Sequence, residues 1–264
     1  MSSVIESSRA GHVLTLRLNR PDKKNALSDE LAWAIVTAVE KAAHDDDVWV
    51  IAITGSGDAF CAGLDLGDRK PASPLSKMDD QLDDIHWVGR FPIVLREVCD
   101  KPVVAGINGV AVGAGLSLAM AADIRIVARS ARLMAGYTRI GGSPDGGLSW
   151  SLSQAVGYEQ AMRFMLENRT VLGEEAVRIG MAGEVVDDAQ LPKRLADYCA
   201  QIAAWSPITT RLTKRTIGRA TRHPDLEGHV RYELATIRRA FQSEDAVEAR
   251  KAFFEKRQPA FQGR

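Results

Sequence analysis

The chain has 264 residues, 45% of them hydrophobic and 26% charged, which suffices for one large core or a core with an appendage. Its 34 basic and 34 acidic side chains give a formal charge of zero and argue against broad electrostatic attraction to nucleic acid or to an anionic membrane. Cys61, Cys99 and Cys199 form no CxxC pair and no metal spacing, so they read as buried, reduced thiols of a cytosolic protein.

The opening "MSSVIESSRAGHV" holds no apolar run of signal-peptide length and is not rich in arginine, which again points to the cytoplasm. "HVLTLRLN" at 12–19 sets Val13, Leu14, Leu16 and Leu18 against Thr15 and Arg17, an alternation that predicts a strand. Ser28 stands as an N-cap before Asp29 and Glu30, and Leu31, Ile35, Ala38, Val39 and Ala42 form the apolar face of an amphipathic helix. "VWVIAIT" at 48–54 predicts a second strand, too apolar to face water on either side. Residues 102–122, "PVVAGINGVAVGAGLSLAMAA", are uncharged and long enough to span a bilayer. Their four glycines, Asn108, and the split into a β-branched half and an Ala/Leu/Met half predict instead a buried strand, a glycine turn and a buried helix.

"IGGSPDGG" at 140–147 sets one carboxylate, Asp145, among turn-forming residues. Proline presets φ, aspartate bonds its own backbone and glycine takes positive φ, so the residues alone are explained by a turn and leave any further role open. "IRIVA" at 124–128, just before, resumes extended structure. Alternating apolar strands and helices define an α/β core over residues 1–190, with helices covering the sheet. From about residue 191, charged helical patterns such as "YELATIRRAFQSEDAVEARKAFFEKR" replace the strand signals and mark a helical C-terminal subdomain over 191–264. His12, His44, His86, His223 and His229 show no metal spacing, and His86 with Trp87 reads better as surface than as a lining of the site.

Four blocks, "LNRPDKKNAL" at 18–27, "AFCAGLDL" at 59–66, "KPVVAGINGVAVGAGLSLAMAADIRI" at 101–126 and "FFEKRQPAF" at 253–261, resemble the signature blocks of the crotonase superfamily, the enoyl-CoA hydratases and isomerases. The resemblance implies a spiral of ββα units, a C-terminal trimerisation region, a trimer or a hexamer of two trimers, and an acyl-CoA thioester substrate with no separate cofactor or metal. It implies neither a nucleic-acid nor a membrane partner. The oxyanion donors it implies are the N–H groups of Leu64, after Ala62-Gly63, and of Ala114, after Gly113. Preorganised donors of this kind stabilise an enolate in a dry pocket without reorganising.

The same resemblance places Lys24, and Lys256 or Arg257, against the CoA phosphates, and gives Asp65 either a ligand contact or a structural hydrogen bond. The two glutamates that a hydratase uses to handle water correspond to Ser117 and Tyr137, neither of which is a carboxylate. Asp145 falls where the isomerases and some dehalogenases of the superfamily carry their acid, in a pocket expected to bury it. The implied reaction is a shift of a double bond from β,γ to α,β. The alternatives are hydration or acyl-CoA hydrolysis through Asp145, or acyl-CoA binding without turnover. Tyr137 then lines the acyl pocket, donates a hydrogen bond or simply packs.

Overall fold

A computed structural model describes residues 3–67, 73–222 and 225–264, which leaves His223 outside. Strands β1 (Ile5–Ala10) and β2 (Val13–Leu18) form an antiparallel hairpin over Gly11, whose φ of 56° glycine adopts without steric cost. "IESSRA" carries no alternating apolar signal because β1 is an edge strand with its side chains largely in solvent. Ser28 caps helix α1 (Asp29–Ala43), its Oγ accepting the Leu31 N–H at 3.3 Å. Strand β3 (Val50–Gly55) runs between β2 and β5 (Val103–Ile107), parallel to both, with Val50 to Ile53 buried, as its unbroken apolar run requires.

The chain then steps repeatedly between two sheets. β4 (Ala59–Cys61), β6 (Val110–Val112) and β8 (Arg132–Met134) follow β3, β5 and β7 (Ile124–Ala128) respectively, each leaving the first sheet for the second. With β9 (Val171–Leu172) and β10 (Glu184–Val186), the strand orders are β1-β2-β3-β5-β7-β10 and β4-β6-β8-β9. This is the spiral of ββα units. Helices α2 (Lys77–Gln81) and α3 (His86–Ile93) close its first turn, α4 (Ala114–Ala121) its second, and α5 (Leu148–Val156), α6 (Tyr158–Glu167) and α7 (Gly173–Arg178) its third. The apolar stretch at 102–122 is thus strand, turn and helix with the short β6 added, and no helix among the described residues is long and apolar enough to cross a membrane.

Helix α8 (Leu191–Ala203) opens the strand-free region but belongs to the core. It buries Leu191, Leu195 and Cys199, and Gly106 of β5 makes room for it, since a methyl group there would lie 2.6 Å from Leu195 Cδ2. Helix α9 (Pro207–Ala220) is held by polar ties. Arg211 pairs with Asp100 at 2.7 Å, and Lys214 donates to the carbonyls of Leu95 at 2.6 Å and Lys101 at 2.9 Å. Helix α10 (Leu226–Phe241) lies on α9 and buries only Thr236, and α11 (Glu244–Glu255) ends the fold.

Candidate active site

The first donor loop is built on a polar knot at residues 20–27. Asn25, fully buried with φ of 55°, accepts from the Arg20 N–H and donates to the carbonyls of Ser56 at 2.9 Å and Ala59 at 2.8 Å. Asn108 also donates to the Ala59 carbonyl, at 3.1 Å. Arg20 bonds the Ala26 carbonyl at 2.6 Å and Asp65 Oδ2 at 2.8 Å. Leu27 then pairs with the loop, its N–H donating to the Gly63 carbonyl at 2.7 Å and its carbonyl accepting the Asp65 N–H at 3.0 Å. Because extended backbone alternates its polar groups, the Leu64 N–H between these two bonds points the other way. Asp65 therefore anchors the loop, through Arg20 and through the Gly67 N–H at 3.1 Å.

The second donor lies across from the first. Ala114 is the first residue of α4, where the helix supplies no acceptor for its N–H and the dipole end is positive. A methyl group on Gly63 would stand 2.6 Å from the Val112 carbonyl oxygen and 3.8 Å from the Ala114 nitrogen. The two loops meet this closely because Gly63 and Gly113 hold φ of 95° and 53° without a side chain. Beneath them, burial pushes the Cys61 thiol up to about 12, so it is no nucleophile at neutral pH.

Asp145 stands on a real turn, its carbonyl accepting the Leu148 N–H at 3.0 Å. Gly146 and Gly147 both take positive φ, and a methyl group on Gly146 would lie 2.6 Å from Phe91 Cζ and 2.9 Å from Ser117 Cβ. The turn thus has a second task, to bring Asp145 to α4. Its carboxylate Oδ1 accepts from the Tyr137 hydroxyl at 2.7 Å, and Ser117 Oγ lies 3.0 Å from that hydroxyl and 3.1 Å from both the Gly113 and Asp145 carbonyl oxygens. Asp145 is half-buried, not enclosed as an apolar pocket would make it, because the flanking residues 141–144 are exposed. Tyr137 is the buried partner. Burial pushes its phenol above the usual tyrosine range, the neighbouring Asp145 adds to this, and Ser117 opposes it.

The other candidates are dispersed. Lys24 adopts φ of 48°, gives its carbonyl to the Ala62 N–H at 2.9 Å and holds an exposed ammonium 3.7 Å from Asp58. Arg257 instead pairs with Glu248 at 2.6 Å and Glu255 at 2.7 Å, and Lys256 ends α11 in a left-handed conformation. Arg257 lines a cavity of about 1020 Å³ among the C-terminal helices, whose walls carry no other candidate residue. Asp145, Leu64 and Ala114 do not line this cavity. His86 is exposed, whereas Trp87 is buried with its ring N–H on Asp29 Oδ1 at 2.9 Å. Sequence reasoning missed Arg20, Asn25 and Asn108, whose signal was the density of polar side chains in otherwise turn-like blocks.

This ββα spiral is the crotonase fold, shared with solved enoyl-CoA hydratases. Residues 8–264 match the enoyl-CoA hydratase/isomerase family, and the chain belongs to that family. It is 33% identical to 1,2-epoxyphenylacetyl-CoA isomerase of Escherichia coli K12 over 255 residues, which cover 96% of this chain and 95% of that one. It is 31% identical to enoyl-CoA hydratase EchA19 of Mycobacterium tuberculosis H37Rv, covering 97% and 95%. The crystal structure of an enoyl-CoA hydratase from Bacillus anthracis matches with a TM-score of 0.89 at 29% identity, covering 99% of this chain and all of that one. The protein is an enzyme of a family that acts on acyl-CoA thioesters.

Proposed function

We propose that the enzyme moves a double bond of an acyl-CoA from the β,γ to the α,β position, with Asp145 as the only proton carrier. Oδ2 of Asp145 takes a proton from the α carbon, the C–H electron pair moves toward the carbonyl carbon, and the thioester oxygen becomes an oxyanion held by the N–H groups of Leu64 and Ala114. The pair then returns through the conjugated system, and Asp145 gives its proton to the γ carbon. One carboxylate suffices. CoA enters as part of the substrate, with Lys24 near its phosphates, and no other cofactor takes part.

What supports this reading is that Ser117 and Tyr137, which the crotonase resemblance sets at a hydratase's two carboxylate positions, bond each other, while Asp145, bonded to Tyr137, is the acid beside them. One relative is named an isomerase, of a 1,2-epoxyphenylacetyl-CoA, and others are named enoyl-CoA hydratases. Free, buried Cys61, Cys99 and Cys199 fit a reducing cytoplasm. The test is Asp145→Asn, assayed by product analysis with β,γ-enoyl-CoA. Asparagine keeps the turn and removes the base, so the folded variant loses isomerisation by ~10²-fold to 10⁴-fold. Retained isomerisation would sink the reading. An acyl adduct on wild-type Asp145 by mass spectrometry would replace proton transfer with nucleophilic hydrolysis.

A further inference from the structure

We propose that Tyr137 is the positioning residue of this site: its hydroxyl, held by Ser117, donates to Oδ1 of Asp145 and leaves Oδ2 as the oxygen that moves the proton. The inference rests on the reading of Asp145 as proton carrier and adds how that carboxylate is aimed. A phenol has one hydrogen and an ionised carboxylate only accepts, so the 2.7 Å contact assigns that hydrogen to Asp145. Tyr137 is buried, at 6% exposure. Its raised phenol range keeps it a neutral donor at neutral pH.

Ser117 completes the device. It is fully buried, and besides the Tyr137 hydroxyl its Oγ faces two carbonyl oxygens, those of Gly113 and Asp145. With the phenol hydrogen on Asp145, Ser117 gives its single hydrogen to the Tyr137 oxygen, and the two carbonyls beside it hold no proton to pass on, so the hydroxyl pair ends there. It holds the carboxyl group and does not conduct its proton away. Ser117 also belongs to α4, the helix whose first N–H is the Ala114 donor. One buried hydroxyl thus ties the base to the oxyanion loop. Without the clamp, a carboxylate on a glycine-rich turn samples several rotamers, and loss of alignment lowers the rate even when binding is intact.

The experiment follows exchange of α-protons with D2O by mass spectrometry, using butyryl-CoA, octanoyl-CoA and phenylacetyl-CoA, which cannot isomerise. Tyr137→Phe should lower the maximal exchange rate about tenfold, the effect of losing one hydrogen bond to a charged group, with the half-saturating acyl-CoA concentration unchanged. Ser117→Ala, which leaves the phenol in place, should lower it several-fold. An unaltered rate in Tyr137→Phe, with exchange abolished in Asp145→Asn, overturns the inference while the role of Asp145 stands. A Tyr137→Phe defect that appears only as weaker acyl-CoA binding also overturns it, as simple packing predicts. Should Tyr137→Phe fail to fold, Ser117→Ala decides, since a wild-type rate there removes the clamp. Exchange retained in Asp145→Asn, or absent from the wild type with all three thioesters, overturns both statements together.

Discussion

Lys24 reaches solvent with its ammonium 3.7 Å from Asp58, and both side chains are more than half exposed. An exposed pair of this kind contributes little to stability, so Lys24 keeps its charge available for a ligand. Lys24→Ala should weaken CoA binding in low salt and lose most of that effect at high salt, where a charge pair at the surface is screened. Asp58→Ala should act in the opposite sense by removing a competing anion. Titration calorimetry at two ionic strengths checks both, and an unchanged dissociation constant for Lys24→Ala in low salt would take the residue out of the site. At this scale residue types and their order along the chain were legible, whereas partners were not. Asp145 and Tyr137 lie eight positions apart across left-handed Gly141, and no periodicity reports that their side chains meet. Asp65 showed the same limit, because the Arg20 that claims it is 45 residues away.

The elements were legible wherever burial left a pattern, as in β2, α1 and β3, and illegible where pairing alone makes the strand. Three-residue strands such as β4, β6 and β8 show no alternation to read, and the exposed edge strand β1 has no apolar face. Gly115 of the third block serves the packing of α4 on β4. A methyl group there would lie 2.3 Å from the Cys61 carbonyl oxygen and 2.7 Å from its Sγ. Gly115→Ala must therefore push α4 from β4, and should cost isomerisation or exchange more than it costs CoA affinity. Wild-type turnover in that variant would show that the donor loops tolerate the shift. Lys101, 1% exposed, illustrates another hidden link, since its ammonium donates to the Ala42 and Asp45 carbonyls at the end of α1. Lys101→Met strands those acceptors at a cost of about 1–3 kcal/mol, partly offset because an ammonium is no longer buried. Thermal unfolding should show a melting temperature lower by a few degrees. An unchanged melting temperature would mean that water satisfies both carbonyls.

At the scale of the molecule, α10 presents an apolar surface that a single chain does not cover. Along α10, Leu226, Val230, Leu234, Ile237 and Phe241 recur at helical spacing and are 41% to 75% exposed, while the helix buries only Thr236. A contiguous apolar stripe of that length is unusual on a soluble monomer. The formal charge of zero offers no net repulsion against association. We therefore expect copies of the chain to cover α10 for one another, in the trimer or hexamer that the crotonase resemblance implies. Replacing Leu234 and Ile237 together by glutamate places two carboxylates in that stripe outside the buried core, since the two side chains are 50% and 48% exposed in one chain. Far-UV circular dichroism should be unchanged. Sedimentation should show the wild type at three or six times the chain mass and the double variant at one. The polar ties of α9 to Asp100, Leu95 and Lys101 remain in the separated chain, so Asp145 and both donor loops keep their places and residual exchange of α-protons should persist. A wild type that sediments as a monomer, or a double variant that keeps the wild-type mass, would show that α10 is not the associating surface.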